Sequence, residues 1–285
     1  MYKLISALTL GTVMFAAMPA HAWWETGHMV TAQVAYQELT PAVRQEADRL
    51  MRYLDNSEPD PARRHFVPAS VWMDDVKARG FRGFDTWHYA NIPFNPEGLL
   101  QVPDVPPENI IWAIEHTSKT LNNPKASDFE KALALRLLIH LVGDIHQPFH
   151  AIGRMSHEHP HGDQGGNLFT LPVTQKNIHF LWDSTAGRFP SVSTSAWAQV
   201  IPGFAKEAVQ AWPKARYAGQ LGFAPGSWAQ ESYRLAVKHG YEPLQPNQPV
   251  PEAYIQQAQT ICEERIALGG YRLAELLNQR LGLQP

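Results

Sequence analysis

Three scarcities set the first bounds on this chain. Cysteine is nearly absent: among 285 residues only Cys262 is present, so an intramolecular disulfide cannot form, and zinc-finger or iron-sulfur sites built from thiolates are excluded. Positive charge is not in excess, since 24 Lys and Arg stand against 27 Asp and Glu, a formal net charge of −3 with His neutral. That balance excludes binding to duplex nucleic acid or an anionic membrane by counterion release from a basic surface. Long apolar runs are also missing. Leu4 to Met18 is too short for a comfortable membrane span, and no run of about 18 apolar residues follows it.

That early run has the layout of an export signal. Lys3 supplies a positive start, and Ala20-His21-Ala22 fits the small-x-small cleavage pattern. We read residues 1–22 as a secretory signal peptide in preference to an uncleaved anchor, which makes the protein secreted or periplasmic, with no membrane span once the signal is removed. Loss of Lys3 takes the net charge from −3 to −4 and leaves Trp23 as the first residue.

What the sequence does contain is core material and helix signals. Hydrophobic residues make up 44% and aromatics 11%, with 9 Trp, which gives no compositional case for disorder. The length allows one large domain or two small ones. The best linker candidate, Pro93 to Pro107, has motifs on both sides that serve one site, so it reads as a surface loop within one domain, residues 23–285. Thr40-Pro41 predicts a helix start leading toward Leu54. Ser127 with Glu130 is a capping box opening an apolar helix through Asp144, and Ser227 with Gln230 repeats the device before Ala236. Pro251 opens a long C-terminal helix that Gly269-Gly270 can kink or interrupt. Only Leu168 to Val173 and Ile178 to Phe180 look strand-like, enough for one small hairpin. The expected fold is mainly α, a multi-helix domain.

The chief lead is histidine. There are 13 His, and seven of them fall between His140 and His179, beside Asp rather than Lys. In LLIHLVGDIHQPFH, His140 and Asp144 lie four apart on one helix face; buried there, they form either a hydrogen-bonded core pair or two ligands of a divalent cation. Pro148 ends that helix, with His150 just beyond. NIHFLWD repeats the spacing with His179 and Asp183. Upstream, WMDD offers Asp74, with Lys77 three residues on, and WHYANIP offers His88. WWETGH places His28 near the new N-terminus, where the amine and carbonyl of Trp23 can chelate a metal once the amine is deprotonated; its ordinary pKa of about 7.7–8.0 allows this near neutral pH. His146 faces away from the pair and is expected to satisfy a backbone group. His157, His159 and His161 form a polar loop, and His65, His116 and His239 have no carboxylate at ligand spacing.

In order, WWETGH, WMDD, WHYANIP, IHLVGDIHQPFH, GDQGGN and NIHFLWD resemble the zinc-dependent S1/P1-type nuclease family, which is related in fold to zinc phospholipase C. They span Trp23 to Asp183, about 60% of the chain after the signal. The resemblance implies three Zn2+. One would take Asp74, His88, His140 and Asp144; a second His150, His179 and Asp183; the third the Trp23 chelate, His28 and the other oxygen of Asp144. It implies an endonuclease that cuts single-stranded DNA and RNA to 5′-phosphate ends, with 3′-nucleotidase activity and no obligate protein partner. A metal-bridging hydroxide would attack phosphorus in line while zinc stabilises the leaving 3′-oxygen. Three ions and three Asp leave the site about +3, so a phosphate is attracted whatever the charge of the chain.

The resemblance also points to residues around the metals. Asn167 would bind a phosphate oxygen, or else cap its own turn; Lys77 would stand by the scissile phosphate, or else on a solvated helix face. Asp163 would hold the loop from behind. Tyr89 would stack on a base, or else fill core. Asn91 stands where several relatives carry a base-contacting Asp. Two rival readings are a phospholipase C-like phosphodiesterase and a non-catalytic zinc-binding protein.

Overall fold

The computed structural model describes residues 23–54, 60–172 and 174–282; the signal read at 1–22 lies outside the described residues. The elements run α1 (Glu25–Glu38), α2 (Pro41–Tyr53), α3 (Phe66–Ala69), α4 (Trp72–Ala78), β1 (Ile92–Phe94), α5 (Ile110–Leu121), α6 (Asp128–His146), β2 (Ile152–Arg154), α7 (Ile178–Asp183), α8 (Trp197–Ala211), α9 (Pro225–Leu235) and α10 (Glu252–Leu281). The expected mainly α fold is what forms.

Local chemistry explains the helix starts. The Thr40 side chain accepts from the Val43 N–H at 3.4 Å, with Pro41 in the first helical position. Ser127 and Glu130 close the capping box: the Ser127 N–H donates to Glu130 Oε2 at 2.8 Å, and the Glu130 N–H donates to Ser127 Oγ at 3.3 Å. Such a cap is worth about 1 kcal/mol. α6 then runs two residues past Asp144, and every residue from Ala134 to His146 is buried. A helix buried on all sides belongs at the centre of its bundle. Around it pack α1, α2, α5, α9 and α10.

Three local expectations are corrected. Gly269-Gly270 does not interrupt α10, which is continuous from Glu252 to Leu281. The glycines instead let α1 approach: a Cβ on Gly270 would lie 2.6 Å from Val34 Cβ and 2.9 Å from the Thr31 carbonyl oxygen. Ser227 does not cap α9. That helix starts at Pro225, whose fixed φ suits a first helical position, so Ser227 is already inside it. The strand-like segments do not make a hairpin either. Ile178–Phe180 is the start of α7, because the Asn177 side chain accepts from the Phe180 N–H at 2.7 Å and opens a helix there. The two segments are linked by one antiparallel bridge, Thr170 to Asn177, and by the Ile178 N–H donating to the Phe169 carbonyl at 3.1 Å. The strands among the described residues are β1 and β2, paired in parallel with Ile92 opposite Ile152 and Phe94 opposite Arg154.

Behind α6, His146 donates from Nδ1 to the Val142 carbonyl (2.7 Å) and accepts from Arg272 at Nε2 (3.0 Å), as a buried imidazole that satisfies a backbone group should. Burial, together with Arg265 and Arg272, holds its pKa well below the usual value, so the ring is neutral. Glu231 takes a two-point contact from Arg272 (2.6 and 2.8 Å) and one from Arg265 (3.0 Å), tying α9 to α10.

Candidate metal centre and active site

The bundle brings together side chains that are far apart in sequence. α1 carries His28, α4 carries Asp74 and Lys77, the 3-10 turn Asp85–His88 carries His88, α6 carries His140 and Asp144, the turn Pro148–His150 carries His150, and α7 carries His179 and Asp183. Three groups result whose ligand atoms lie within 4.8 Å of one another: His28, His140 and Asp144; Asp74, His88 and His140; His150, His179 and Asp183. All of these side chains are buried.

Backbone contacts set the ring orientations. Nδ1 of His140 donates to the Ser70 carbonyl (2.7 Å), Nδ1 of His150 to that of His88 (2.6 Å), and Nδ1 of His179 to that of Gly165 (2.6 Å). With Nδ1 donating to a backbone carbonyl, Nε2 of each ring faces the carboxylates. His140 Nε2 lies 3.0 Å from Asp144 Oδ2, and His179 Nε2 lies 3.0 Å from Asp183 Oδ2. A lone pair and a carboxylate oxygen at that separation need a positive charge between them, from a second proton or a metal ion. His88 Nδ1 also approaches Asp144 Oδ2 (2.9 Å), while His28 Nε2 sits 3.2 Å from Asp144 Oδ1. Asp144 thus meets His28 with one oxygen and His88 and His140 with the other. Both ring nitrogens of His28 and Nε2 of His150 are buried without a hydrogen bond, which is the condition of a ligand set.

The protonation balance agrees. Burial pushes His28 and His88 below the ordinary imidazole value. Burial acts the same way on His140, but the Asp144 and Asp74 carboxylates outweigh it and hold that ring up to about 9. Burial alone would raise Asp144; the His140 and His150 rings hold it well below the carboxylate range.

Trp23 is fully buried, and its indole N–H donates to the Gly143 carbonyl at 2.9 Å; the Trp24 N–H donates to the Asp183 carbonyl at 2.9 Å. Trp23 and Trp24 are thus fastened to α6 and α7. Gly143 is needed there, because a Cβ would come within 2.8 Å of His28 Nδ1.

A cavity of about 190 Å³ opens onto the cluster, and Lys77, His88, Tyr89, Asn91, His150, Asn167 and His179 line it. Lys77, Tyr89, Asn91 and Asn167 are therefore in one place with the ligand set. Asn167 also caps its turn, donating from Nδ2 to the Gln164 carbonyl at 2.9 Å. Asn91 has φ of +48°, the left-handed region. Asp163 braces the loop: Oδ1 accepts from the Arg154 and Gly166 N–H groups (2.9 and 3.0 Å), and Oδ2 from the Tyr241 hydroxyl (2.7 Å). Sequence reasoning missed three contributors. Gln147 donates from Nε2 to Asp183 Oδ1, Gln164 lines the cavity at φ of +57°, and Tyr241 braces Asp163. The Gln-Pro pair after the His140 helix was the available signal for Gln147.

This constellation defines a candidate metal-binding site of buried imidazoles and carboxylates on an α-bundle, and the family follows from comparison. The profile of the S1/P1 Nuclease family matches residues 23–282, so the chain belongs to that family and is a nuclease. Among similar proteins, Endonuclease 1 of Arabidopsis thaliana is 24% identical, over 95% of this chain and 92% of its own. Nuclease P1 of Penicillium citrinum is 24% identical, over 90% and 97%, and Nuclease S1 of Aspergillus oryzae is 24% identical, over 96% and 96%.

Proposed function

We propose that the protein is a zinc-dependent endonuclease that hydrolyses phosphodiester bonds of single-stranded DNA and RNA to 5′-phosphate products, with 3′-nucleotidase activity. The observation that carries this reading is the facing of imidazole Nε2 atoms and carboxylate oxygens at 3.0 Å, repeated in two groups beside one cavity. The donor set of imidazole and carboxylate, with no thiolate, suits Zn2+. Three ions would be held, by Asp74, His88, His140 and Asp144; by His150, His179 and Asp183; and by His28, Asp144 and the Trp23 chelate. When bound, the ions supply a nucleophile from water at neutral pH and neutralise the phosphate charge.

The chain's own groups do the rest. Asp74 and Asp144 set the charge of the centre, the Lys77 ammonium pairs with a non-bridging phosphate oxygen, and the Asn167 amide donates to another. Tyr89 stacks on the base and Asn91 meets its edge. Asp163 keeps the Asn167 turn in place from behind.

Residues 1–22 are a signal whose removal creates the Trp23 amine, which makes the protein secreted or periplasmic and leaves a catalytic domain from residue 23 to 285. Among the described residues no helix is long and apolar enough to cross a membrane. Substrates are single-stranded nucleic acid and 3′-nucleotides, with no obligate protein partner.

The test compares protein beginning at Trp23 with protein carrying one extra N-terminal residue, measuring zinc content and cleavage of single-stranded DNA. The extended form is expected to lose one of three ions and most of the rate. Equal zinc and equal rates would remove Trp23 from the centre, and hydrolysis of phosphatidylcholine without nucleolysis would replace the nuclease reading with a phospholipase one.

A further inference from the structure

From the cavity a run of aromatic and basic side chains leads outward across the end of α4. Lys77 is in the cavity wall, and the chain turns directly after it: the Gly80 N–H donates to the Lys77 carbonyl (3.0 Å) and the Phe81 N–H to that of Val76 (2.9 Å). Phe81 is 51% exposed, although a phenyl ring is among the groups that folding usually hides. Its ring centroid is 5.0 Å from that of Phe84, which is 5.0 Å from that of Trp87, the residue before His88. Phe84 and Trp87 are only partly buried, so the three rings form a ridge that ends at the ligand set. Arg79 and Arg82 flank the ridge, both exposed, with Asp85 the acidic neighbour at 3.3 Å from Arg82.

We propose that the ridge of Phe81, Phe84 and Trp87, with Arg79 and Arg82, is a docking surface for the stretch of single strand beyond the scissile phosphate. It rests on the nuclease reading and extends that reading from one nucleotide to several. Two features choose this occupant. The surface begins at Lys77 in the cavity wall and ends at Trp87, the residue before the cavity-lining His88, and it pairs exposed ring surface with exposed cations, which matches a polyanion that presents unpaired bases. Duplex lacks exposed base faces, so the ridge favours single strands without reading sequence. It also supplies, on a chain of net charge −3, a local basic strip away from the metal centre.

The test uses the metal-loaded enzyme on a dinucleotide and on an octanucleotide of the same base. Phe81→Ala should lower the ratio of octamer to dinucleotide kcat/KM by about five- to tenfold, mainly through KM, as loss of one stacking ring implies. Arg79→Gln with Arg82→Gln should flatten the salt dependence on the octamer by about 0.7 in log-log slope per cation removed. Melting curves matching the parent would confirm that both variants fold. Wild-type octamer cleavage with an unchanged ratio in Phe81→Ala and an unchanged slope in the double variant overturns the ridge alone. Failure of the wild type to cleave either substrate overturns the nuclease reading and the ridge with it.

Discussion

At Asp163, burial and hydrogen bonding pull one carboxyl in opposite directions. Burial raises its pKa, and contacts from Tyr241 and the Gly166 and Arg154 amides offset this only in part. Because the folded value is raised above the unfolded one, the ionised group weakens the fold, and that penalty grows as pH rises through the folded pKa and disappears toward pH of about 4. Asp163→Asn keeps an acceptor and removes the charge, so its melting temperature relative to the parent should climb from about pH 4 to pH 7; a flat or falling difference would refute this. Tyr241→Phe removes a buried charge-assisted hydrogen bond and should cost about 1.5–3 kcal/mol in urea unfolding at neutral pH. Asp144 meets His28 with one oxygen and His88 and His140 with the other, so Asp144→Asn should depress both metal content and nucleolysis, the rate by more than the 10- to 100-fold typical of an outer-shell partner.

Among helices, the decisive contacts are made where side chains are missing. Gly143 and Gly270 both admit α1, one beside His28 and the other beside Val34. Gly270→Ala should overpack that contact and cost about 1–3 kcal/mol of stability while leaving metal stoichiometry near that of the parent. Gly143→Ala, with its methyl 2.8 Å from His28 Nδ1, should instead show as a loss of bound metal, read by elemental analysis of the folded protein. The same positions show what the sequence could reveal. His140 and Asp144, or His179 and Asp183, are legible because four-residue spacing fixes a shared helix face before any tertiary contact is known. The role of Gln147 depends on the chain reversing at Pro148 to meet α7, and the purpose of Gly269-Gly270 depends on which helix crosses there. Neither is encoded locally. Ile178–Phe180 misled for a related reason: a short apolar run does not distinguish strand from helix, and the Asn177 cap decided it.

For the whole molecule, a core with no disulfide closes around a cluster of buried imidazoles and carboxylates that repel or leave each other unsatisfied until cations bind. Metal is then a folding ligand as well as a cofactor. At metal a thousandfold above its Kd, each site adds about 4 kcal/mol, so chelation should lower the melting temperature by on the order of 10 °C for each ion removed, and zinc should restore it. A melting temperature indifferent to chelator would separate the cluster from stability.

The three-residue pair of β1 and β2 has a role out of proportion to its size. The Ala90 N–H donates to the His150 carbonyl (2.8 Å) and the Ile92 N–H to that of Ala151 (3.0 Å), so the segment bearing Tyr89 and Asn91 is clamped to the segment bearing His150. A slip of one residue would move one side against the other by about 3.3 Å and turn every side chain to the opposite face. The pair therefore works as a gauge block: it fixes the gap between the segment of Tyr89 and Asn91 and that of His150, which under the proposed function would be the span from a base to its phosphate and so the length of the repeating unit that the site accepts.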